Sequence, residues 1–417
     1  MKLPKSSLAL LILVPLVVVG LTLTYSHRAG DFAGYLSVGD LGLQGRDIYR
    51  DAVPGTNTWP PLFGLACIPL ALLSHLSLTG ARVAWLLLNW GALALALTLC
   101  VRLVYDRPLG VRGLGTADDG RVDAASGAAL VPLLICVLWV LSNFEHLQVN
   151  ILIFTLALTG LALHREGRDG AGGAFLGLAA ALKVMPVLFV PYFVWRRRWR
   201  AAASTALAAV AWSLVPLAVY GPAKFLDQLR AWRDALSAGW PVGKMNLSVY
   251  AMIDRTVGHG IVPFSVAGFD ALAPSGVPAV RWLVLSLVVL VTLFACVLFR
   301  GPYEPRARRT VAEWSVVFLV GALFGTVTWK AYLVVLLLPM VLFVATWRDP
   351  AVAAAFRQRL RMLCWLSFVL GMATATDLVG RSLSGRLEMG SLQTWMALLV
   401  LGTTLWYRGR IDVNSRA

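Results

Sequence analysis

The feature that most constrains this chain is a series of long apolar stretches that recurs along its 417 residues. Most of them approach the roughly twenty residues that an α-helix needs to cross a bilayer. They lie near residues 8–25, 61–78, 82–104, 128–142, 147–163, 172–195, 201–220, 279–299, 311–328, 331–347, 362–376 and 393–407. These runs are solidly apolar, without the alternation of a membrane β-barrel. They predict an all-α polytopic membrane protein, a bundle of about 11–12 transmembrane helices that forms one membrane domain over 1–417.

The charge content excludes an ordinary soluble domain. Only 14% of the residues are Asp, Glu, Lys or Arg, against about 25% in soluble domains, so a water-facing surface could not be covered. The net charge is +16, but the basic residues sit in short runs between apolar segments. Nucleic-acid binding would instead need a basic face on a soluble fold. The lipid bilayer is therefore the predicted partner, and nucleic acid is not.

Basic clusters predict which loops face the cytoplasm. Lys2 and Lys5 precede the first apolar stretch, which is too long for a signal peptide and is predicted to be a retained span. The later clusters are Arg196, Arg197, Arg198 and Arg200; Arg300, Arg306, Arg308 and Arg309; Arg348, Arg357, Arg359 and Arg361; and Arg408 and Arg410. Both chain ends are thus expected in the cytoplasm. The outward regions are expected at 26–60, 221–278 and 376–392.

The topology of the N-terminal half has two readings. If 61–78 spans the membrane, residues 143–149 face the cytoplasm. If 61–78 lies in the outer interface, residues 143–149 face outward, the Gly-rich segment 106–126 is a cytoplasmic connection, and 172–195 is a broken or re-entrant pair of helices. The second reading is favoured because it collects the unusual polar residues on one side.

The first outward loop, 26–60, carries four acids that could act as a general base. Asp31 follows the first span directly, at the boundary between membrane and water. Partial burial there would raise the pKa of a carboxyl, which suits a base. Asp40, Asp47 and Asp51 compete with it, and a solvated loop acid is the alternative for each.

Polar residues also interrupt the apolar segments themselves. Residues 143–150 include Glu145, His146, Gln148 and Asn150 in an otherwise apolar hairpin. Unpaired polar groups in lipid cost several kcal/mol, so these side chains are expected to meet a ligand or one another. Lys183 lies in an apolar run, where it could bind a phosphate or extend its ammonium to an interface.

Two further polar groups mark the later part of the chain. Asn246 and Ser248 lie in the second long outward loop, 221–278, where amide and hydroxyl groups suit a sugar. Trp329 and Lys330 form a polar break in the apolar run 311–347, and interfacial anchoring is their alternative role.

Several other chemistries lack a signature in the sequence. All five cysteines, Cys67, Cys100, Cys136, Cys296 and Cys364, lie in apolar stretches and are predicted to be small buried side chains. No P-loop, HExxH or GxSxG pattern is present, so ATP hydrolysis has no support. No metal ligands and no cofactor are predicted, and a requirement for a divalent metal is left open.

Motifs in a fixed order resemble glycosyltransferase family 87, of the GT-C superfamily of membrane glycosyltransferases. The resemblance covers roughly 8–345. Its motifs are Asp31 after the first span, Gly45-x-x-Ile48-Tyr49, Trp59-Pro60-Pro61, Gln148-x-Asn150, Gly177 to Lys183 followed by Pro186, and Asn246-x-Ser248. Each motif is short, and it is the order that carries the resemblance.

The resemblance implies a GT-C-type fold with short interfacial helices in its outer loops, and an enzyme of the plasma membrane, a hexosyltransferase. Its donor would be a polyprenyl-phosphate sugar, mannose above all, and its acceptor a glycolipid or glycan at the outer face. Asp31 would be the base of an inverting transfer. Lys183, Lys330 and Arg255 would bind the donor phosphate. The implied substrate-binding residues are Tyr35, Tyr49, Trp59, His146, Gln148, Asn150, Asn246, Ser248 and Trp329.

The chain departs from the family pattern at two positions. Lys330 stands where the family often has His, and His146-Leu-Gln148 stands where it often has Gly-Gln. A secondary transporter or lipid-linked-sugar flippase remains the alternative from another class. A polymerase or ligase of surface glycans would share the same chemistry. The sequence leaves the sugar, the linkage, the acceptor and the oligomeric state open.

Overall fold

The fold is that of a computed structural model, which describes residues 4–52, 57–111, 120–237, 239–266 and 269–414. Within these ranges the regular structure is helical, and almost all of it α-helical, apart from a parallel pair of two-residue strands, β1 (Leu109–Gly110) and β2 (Val122–Asp123). These strands lie in the predicted connection 106–126, of which residues 112–119 are outside the described ranges. The predicted all-α class is confirmed.

Most of the described helices follow the predicted apolar stretches, and four lie in the predicted outward regions 26–60, 221–278 and 376–392. In chain order they are α1 (Lys5–Tyr25), α2 (Phe32–Leu43), α3 (Pro61–Leu76), α4 (Leu78–Tyr105), α5 (Gly127–Ile135), α6 (Val137–Glu145), α7 (Asn150–Arg165), α8 (Asp169–Leu182), α9 (Phe189–Trp195), α10 (Trp199–Ser213), α11 (Val215–Tyr220), α12 (Pro222–Ser237), α13 (Val249–Ile253), α14 (Pro278–Leu298), α15 (Arg308–Leu323), α16 (Leu337–Trp347), α17 (Ala354–Met372), α18 (Thr376–Met389) and α19 (Leu392–Asn414). Short 3₁₀ segments, Met185–Leu188 and Lys330–Leu336, precede α9 and α16, and a π-helical turn, Asp254–Gly258, follows α13.

Among the described residues, five helical segments are long and apolar enough to cross a membrane, and the count reaches seven if each of two bent pairs is one span. The five are Lys5–Tyr25, Leu78–Tyr105, Trp199–Tyr220, Pro278–Leu298 and Lys330–Trp347; the bent pairs are α5 with α6 and α17 with α18. The prediction of about 11–12 spans was higher because it included shorter helices. The chain is a multi-pass membrane protein.

The described residues of 1–99 and 141–239 form one compact unit. In this first unit α8 packs against α7 and α10, and α2 packs against α3. Helices α8 and α10 approach closely at Gly177, where an added Cβ would lie 2.5 Å from the backbone nitrogen of Ala209. A small residue lets two helix backbones come together in a membrane protein. This packing fixes the end of α8, from which Lys183 follows.

The described residues of 100–111, 118–140 and 240–417 form a second compact unit. In it α19 packs against α15 and α17, and α16 packs against α5 and α17. A buried ion pair joins α19 to α15: the Arg408 Nε donates to Glu313 at 2.8 Å, and both side chains are almost fully buried. A paired charge avoids the large cost of burying one alone.

Candidate active site

Asp31 lies at the start of α2, held against a distant segment of the first unit. Its backbone N–H donates to the carbonyl oxygen of His146 at 2.9 Å. The preceding Gly30 has a φ of +49°, and an added Cβ there would lie 2.4 Å from the same oxygen. Only glycine fits both the left-handed backbone and this close approach. The turn before α2 thus fixes where the Asp31 carboxylate points.

The segment whose backbone accepts the hydrogen bond from Asp31 is the predicted polar interruption at 143–150. The backbone N–H of Gln148 donates to the Asn143 carbonyl at 2.8 Å, and Leu147 has a φ of +50°. The indole N–H of Trp85 donates to the Leu147 carbonyl at 2.9 Å, which holds the turn from α4. A left-handed non-glycine residue is uncommon and is kept in place by such contacts.

Contacts between the loop that carries Asp31 and the segment 143–150 favour the second reading of the topology, in which 61–78 lies in the outer interface. Arg28 forms an ion pair with Glu145 at 2.8 Å, beside the Asp31–His146 backbone bond. Residues 143–149 therefore lie on the same side of α1 as Asp31. Helix α3 has 16 residues, or about 24 Å at 1.5 Å per residue, which is shorter than a hydrocarbon core of about 30 Å.

A chain of hydrogen bonds runs from Asp31 to Lys183 within the first unit. The Gln148 Nε2 donates to the Asp31 carboxylate, and the Asn150 Nδ2 donates to the Gln148 Oε1 at 3.0 Å. The Lys183 ammonium donates to the Asn150 Oδ1. Gln148 and Asn150 are buried, with 6% and 5% of their surface exposed. Four of the predicted site residues therefore lie together.

The electrostatics around Asp31 act in opposite directions. Burial raises the pKa of its carboxyl, while the bond from Gln148 and the charges of His146 and Lys183 lower it. The pKa remains raised overall because loss of water is the larger effect. A carboxylate with a raised pKa, partly buried and held at one oxygen, is suited to accept a proton from a hydroxyl group.

Aromatic side chains pack around the first turn of α2. Tyr35 is fully buried, and its ring lies 5.0 Å from Trp59, 5.2 Å from Phe63 and 5.6 Å from Trp85, measured between centroids. The Tyr49 hydroxyl donates to the Trp59 carbonyl at 2.7 Å. Tyr35 is therefore part of the core, and Tyr49 holds the loop that carries the half-buried Trp59.

Arg255, predicted to bind the donor phosphate, lies in the second unit and is fully buried. Its Nη1 donates to the carbonyl oxygens of Val242 and Gly243, both at 2.7 Å, and of Asn246 at 3.1 Å. Its Nη2 donates to the Ser391 hydroxyl at 2.7 Å. These bonds give the guanidinium a structural role, since they join the loop before α13 to the start of α19.

The Asn246-x-Ser248 motif also forms bonds within the second unit. The Asn246 amide donates to the carbonyls of Pro241 and Thr326, and its oxygen accepts from the backbone N–H groups of Ser248 and Thr328. Ser248 caps α13, accepting from the Ala251 N–H at 3.0 Å. Both side chains are buried. Asn246 and Ser248 suggested a sugar site in the sequence because they carry an amide and a hydroxyl group. In the structure, their hydrogen bonds hold two loops of the protein together.

Lys330 forms an ion pair with Glu388, which the sequence did not mark as part of a site. The Lys330 side chain is 19% exposed and that of Glu388 is 6% exposed. Trp329 packs edge-on against Trp240, with centroids 5.9 Å apart. Glu388 lies in the outward region 376–392, but nothing in its local sequence indicates a lysine partner 58 positions away. Among the described residues, no group of three or more His, Cys, Asp or Glu could hold a metal ion.

Comparison with known proteins identifies a family. The profile of glycosyltransferase family 87 matches residues 57–324. A polyprenol-phosphate-mannose-dependent alpha-(1-2)-phosphatidylinositol mannoside mannosyltransferase of Mycolicibacterium smegmatis is 27% identical over 52% of this chain, and the match spans about half of that relative's length, 49%.

Two relatives from Mycobacterium tuberculosis match over more of their length. One carries the same name as the first and is 26% identical over 86% of this chain and 80% of its own. The other is a polyprenol-phosphate-mannose-dependent alpha-(1-2)-phosphatidylinositol pentamannoside mannosyltransferase, 25% identical over 88% of this chain and 77% of its own. All three names describe mannosyl transfer from a lipid-linked donor.

Proposed function

The chain belongs to glycosyltransferase family 87, and we propose that it transfers mannose from a polyprenyl-phosphate donor to a glycolipid or glycan acceptor. The prediction of a hexosyltransferase is confirmed at the level of the family. The names of the three relatives support mannose as the sugar and a lipid phosphate as its carrier. The observation that carries the proposal is the buried chain of hydrogen bonds that ends on Asp31.

The proposed reaction is a single displacement with inversion. An acceptor hydroxyl oxygen forms a bond to the anomeric carbon of the mannose, and the bond from that carbon to the phosphate oxygen breaks. The lipid phosphate leaves with the electron pair. Asp31 takes the hydroxyl proton, as the base of an inverting transfer does on the face opposite the leaving group. The phosphate already leaves well, so a general acid is less essential to the proposed reaction.

The contacts of the other loop acids support Asp31 as the base. Asp40 pairs with His75 at 2.8 Å, and Asp51 pairs with Arg46 at 3.2 Å. Asp47 accepts from the backbone N–H groups of Tyr49 and Arg50 in the turn that follows it. These carboxylates have structural partners in the loop or in α3, whereas the Asp31 carboxylate is joined to Gln148 and Asn150, which are buried.

Within the second unit, we propose Lys330 in preference to Arg255 as a residue that binds phosphate. The Arg255 guanidinium donates to four oxygens of the protein. A lysine ammonium has three donors, of which Glu388 accepts one. Lys330 could thus bind a phosphate oxygen while Glu388 holds it in position. We place the active site at the outer face of the plasma membrane and both chain ends in the cytoplasm, as the basic clusters indicate.

Asp31→Asn tests the proposed base. The purified protein is reconstituted with radiolabelled polyprenyl-phosphate mannose and a membrane lipid extract. Wild type is expected to label an acceptor lipid, and Asp31→Asn to lose at least about 100-fold in rate, since a general base contributes roughly 10²–10⁴-fold. Asp51→Asn, an exposed acid of the same loop, is the matched control and is expected to keep its rate.

Two outcomes would contradict the proposal. Full activity of Asp31→Asn would remove Asp31 as the base. If no sugar is transferred and the lipid-linked sugar instead crosses the vesicle membrane, the transporter alternative is correct. Monodisperse elution of both variants shows that they are folded.

A further inference from the structure

The chain of hydrogen bonds from Asp31 to Lys183 has a direction, and its two ends fix that direction. A lysine ammonium donates hydrogen bonds and accepts none, while an ionised carboxylate accepts and cannot donate. The two side chains between them are amides, Gln148 and Asn150, each with one accepting and one donating end. A terminal amide can turn over at little intrinsic cost, because its oxygen and nitrogen are nearly equal in size.

The ammonium of Lys183 fixes the orientation of the Asn150 side-chain amide. Its bond to the Asn150 Oδ1 turns the Asn150 Nδ2 toward Gln148. The Gln148 Oε1 accepts that N–H, so its Nε2 points at the Asp31 carboxylate. If both amides turned over, an amide nitrogen would face the ammonium and an amide oxygen would face the carboxylate. Both contacts would be repulsive in a largely buried site, where little water is available to separate the groups.

The reversed chain becomes possible once Lys183 is removed. A protonated Asp31 could then donate to the Gln148 oxygen, and Gln148 could donate to the Asn150 oxygen. That arrangement stabilises the protonated acid, which cannot act as a base. Burial already raises the pKa of Asp31, so the direction of the chain opposes the effect of burial.

We propose that Lys183 is a positioning residue for the base, and not a ligand of the donor phosphate: through Asn150 and Gln148 it holds the Asp31 carboxylate ionised and fixed at one oxygen. The inference rests on the proposed role of Asp31. It changes the role that the sequence predicted for Lys183. It also gives the Gln148-x-Asn150 motif a function that contact with a sugar does not require.

The backbone supports this role because it places all three partners rigidly. Lys183 ends α8 in an extended conformation, and its own N–H is bonded to the Ala179 carbonyl at 2.9 Å. Asn150 is the first residue of α7, and α7 and α8 pack against each other. The lysine and the asparagine are therefore held by two neighbouring helices, so their separation does not depend on a flexible loop.

Infrared spectroscopy of the full-length protein in detergent tests the proposal without substrate. The C=O band of protonated Asp31, identified by its loss in Asp31→Asn, is followed as a function of pH. We expect Lys183→Met to raise the midpoint pH of this titration by about one unit or more, because the substitution removes a cation and a fixed hydrogen-bond donor. Lys183→Arg keeps a side chain that only donates hydrogen bonds, so Asp31 in this variant is expected to titrate near the wild-type pH.

Two more variants separate the chain of bonds from charge alone. Asn150→Leu keeps Lys183 but interrupts the chain of hydrogen bonds. This variant is also expected to raise the midpoint pH of the Asp31 titration. Lys224→Met is the matched control: it removes an exposed lysine of the same unit, bonded to the Gly45 carbonyl beyond the far end of α2, and should leave the titration unchanged. An unchanged titration in either Lys183→Met or Asn150→Leu would overturn the proposal. If one of these variants does not fold, the other decides.

Kinetics distinguish positioning from phosphate binding. A positioning role predicts that Lys183→Met lowers kcat about tenfold or more at pH 7, with little change in KM for the donor, and that raising the pH restores part of the rate. Phosphate binding predicts a raised KM and an unchanged acid limb of the pH profile, which would refute the inference and leave Asp31 as the base. If Asp31→Asn is active, the proposed function fails, while the infrared titration still reports on the chain of bonds.

Discussion

At the scale of single residues, the position of the candidate base depends on a residue without a side chain. Gly30 has a left-handed φ of +49°, and its Cα faces the backbone of His146 closely enough that a Cβ would overlap it. The neighbouring Asp31 N–H is bonded to that same backbone. A larger residue at position 30 would therefore push the loop that carries Asp31 away from Gln148.

We expect Gly30→Ala to reduce both stability and transfer. The left-handed backbone alone costs about 1–3 kcal/mol for a residue other than glycine, and the overlap with His146 adds to this. Gly20→Ala is the matched control, because Gly20 lies within α1 and an added Cβ there meets nothing within 4 Å. Thermal unfolding and the mannosyl-transfer assay measure the two effects. Equal unfolding temperatures for both variants would show that the tight turn does not form.

At the scale of structural elements, the Lys330–Glu388 ion pair joins the 3₁₀ segment Lys330–Leu336 to α18. Both side chains are largely buried, so each depends on the other for a partner. Removing one member of a buried pair leaves an unpaired charge in the interior, whereas replacing both with apolar residues can be nearly neutral. This pair gives the largely buried Lys330 ammonium a partner of opposite charge.

We predict a strong coupling between these two positions. Lys330→Met or Glu388→Leu alone is expected to lower the free energy of unfolding by about 3–5 kcal/mol, and the double variant to recover most of that loss. Lys244 and Asp270 form the matched control, with a distance of 3.1 Å and a largely exposed aspartate in the same unit. Their coupling should not exceed about 1 kcal/mol. Additive losses at Lys330 and Glu388, measured in a double-mutant cycle, would refute the prediction.

At the scale of the whole molecule, the topology depends on which loops share a side of the membrane. Helix α3 is too short to cross at full thickness, and Arg28 pairs with Glu145. Both observations favour an outward position for residues 143–149, together with Asp31. The basic clusters near Arg200 and Arg361 are expected on the opposite, cytoplasmic side.

Single cysteines in a cysteine-free background test this topology. We expect His27→Cys and Glu145→Cys to react with a membrane-impermeant maleimide in intact cells, and Arg200→Cys and Arg361→Cys to react only after permeabilisation. Loss of the exposed Arg28–Glu145 pair should cost less than about 1 kcal/mol, so the labelled protein stays folded. Labelling of Glu145→Cys only from inside would mean that 61–78 spans the membrane.

The sequence by itself determined the class of the molecule. A helix satisfies its own backbone hydrogen bonds, so a run of apolar residues that is long enough specifies a membrane helix without reference to any other part of the chain. The apolar stretches therefore predicted most of the helices, and the predicted number of spans also included helices of fewer than 18 residues. The order of motifs likewise identified the family, and it placed Asp31, Gln148, Asn150 and Lys183 in the candidate site.

Only the tertiary structure decided what those polar residues do. Asp31 and Gln148 are 117 positions apart, and Asn150 and Lys183 are 33 apart, so no local pattern specifies their pairing. Asn246, Ser248 and Arg255 have the same composition as a binding site, yet their hydrogen bonds are used within the protein. A polar residue in an apolar chain requires a partner for hydrogen bonding or ion pairing, and the sequence shows where such residues lie. Which partner it finds depends on how the helices pack.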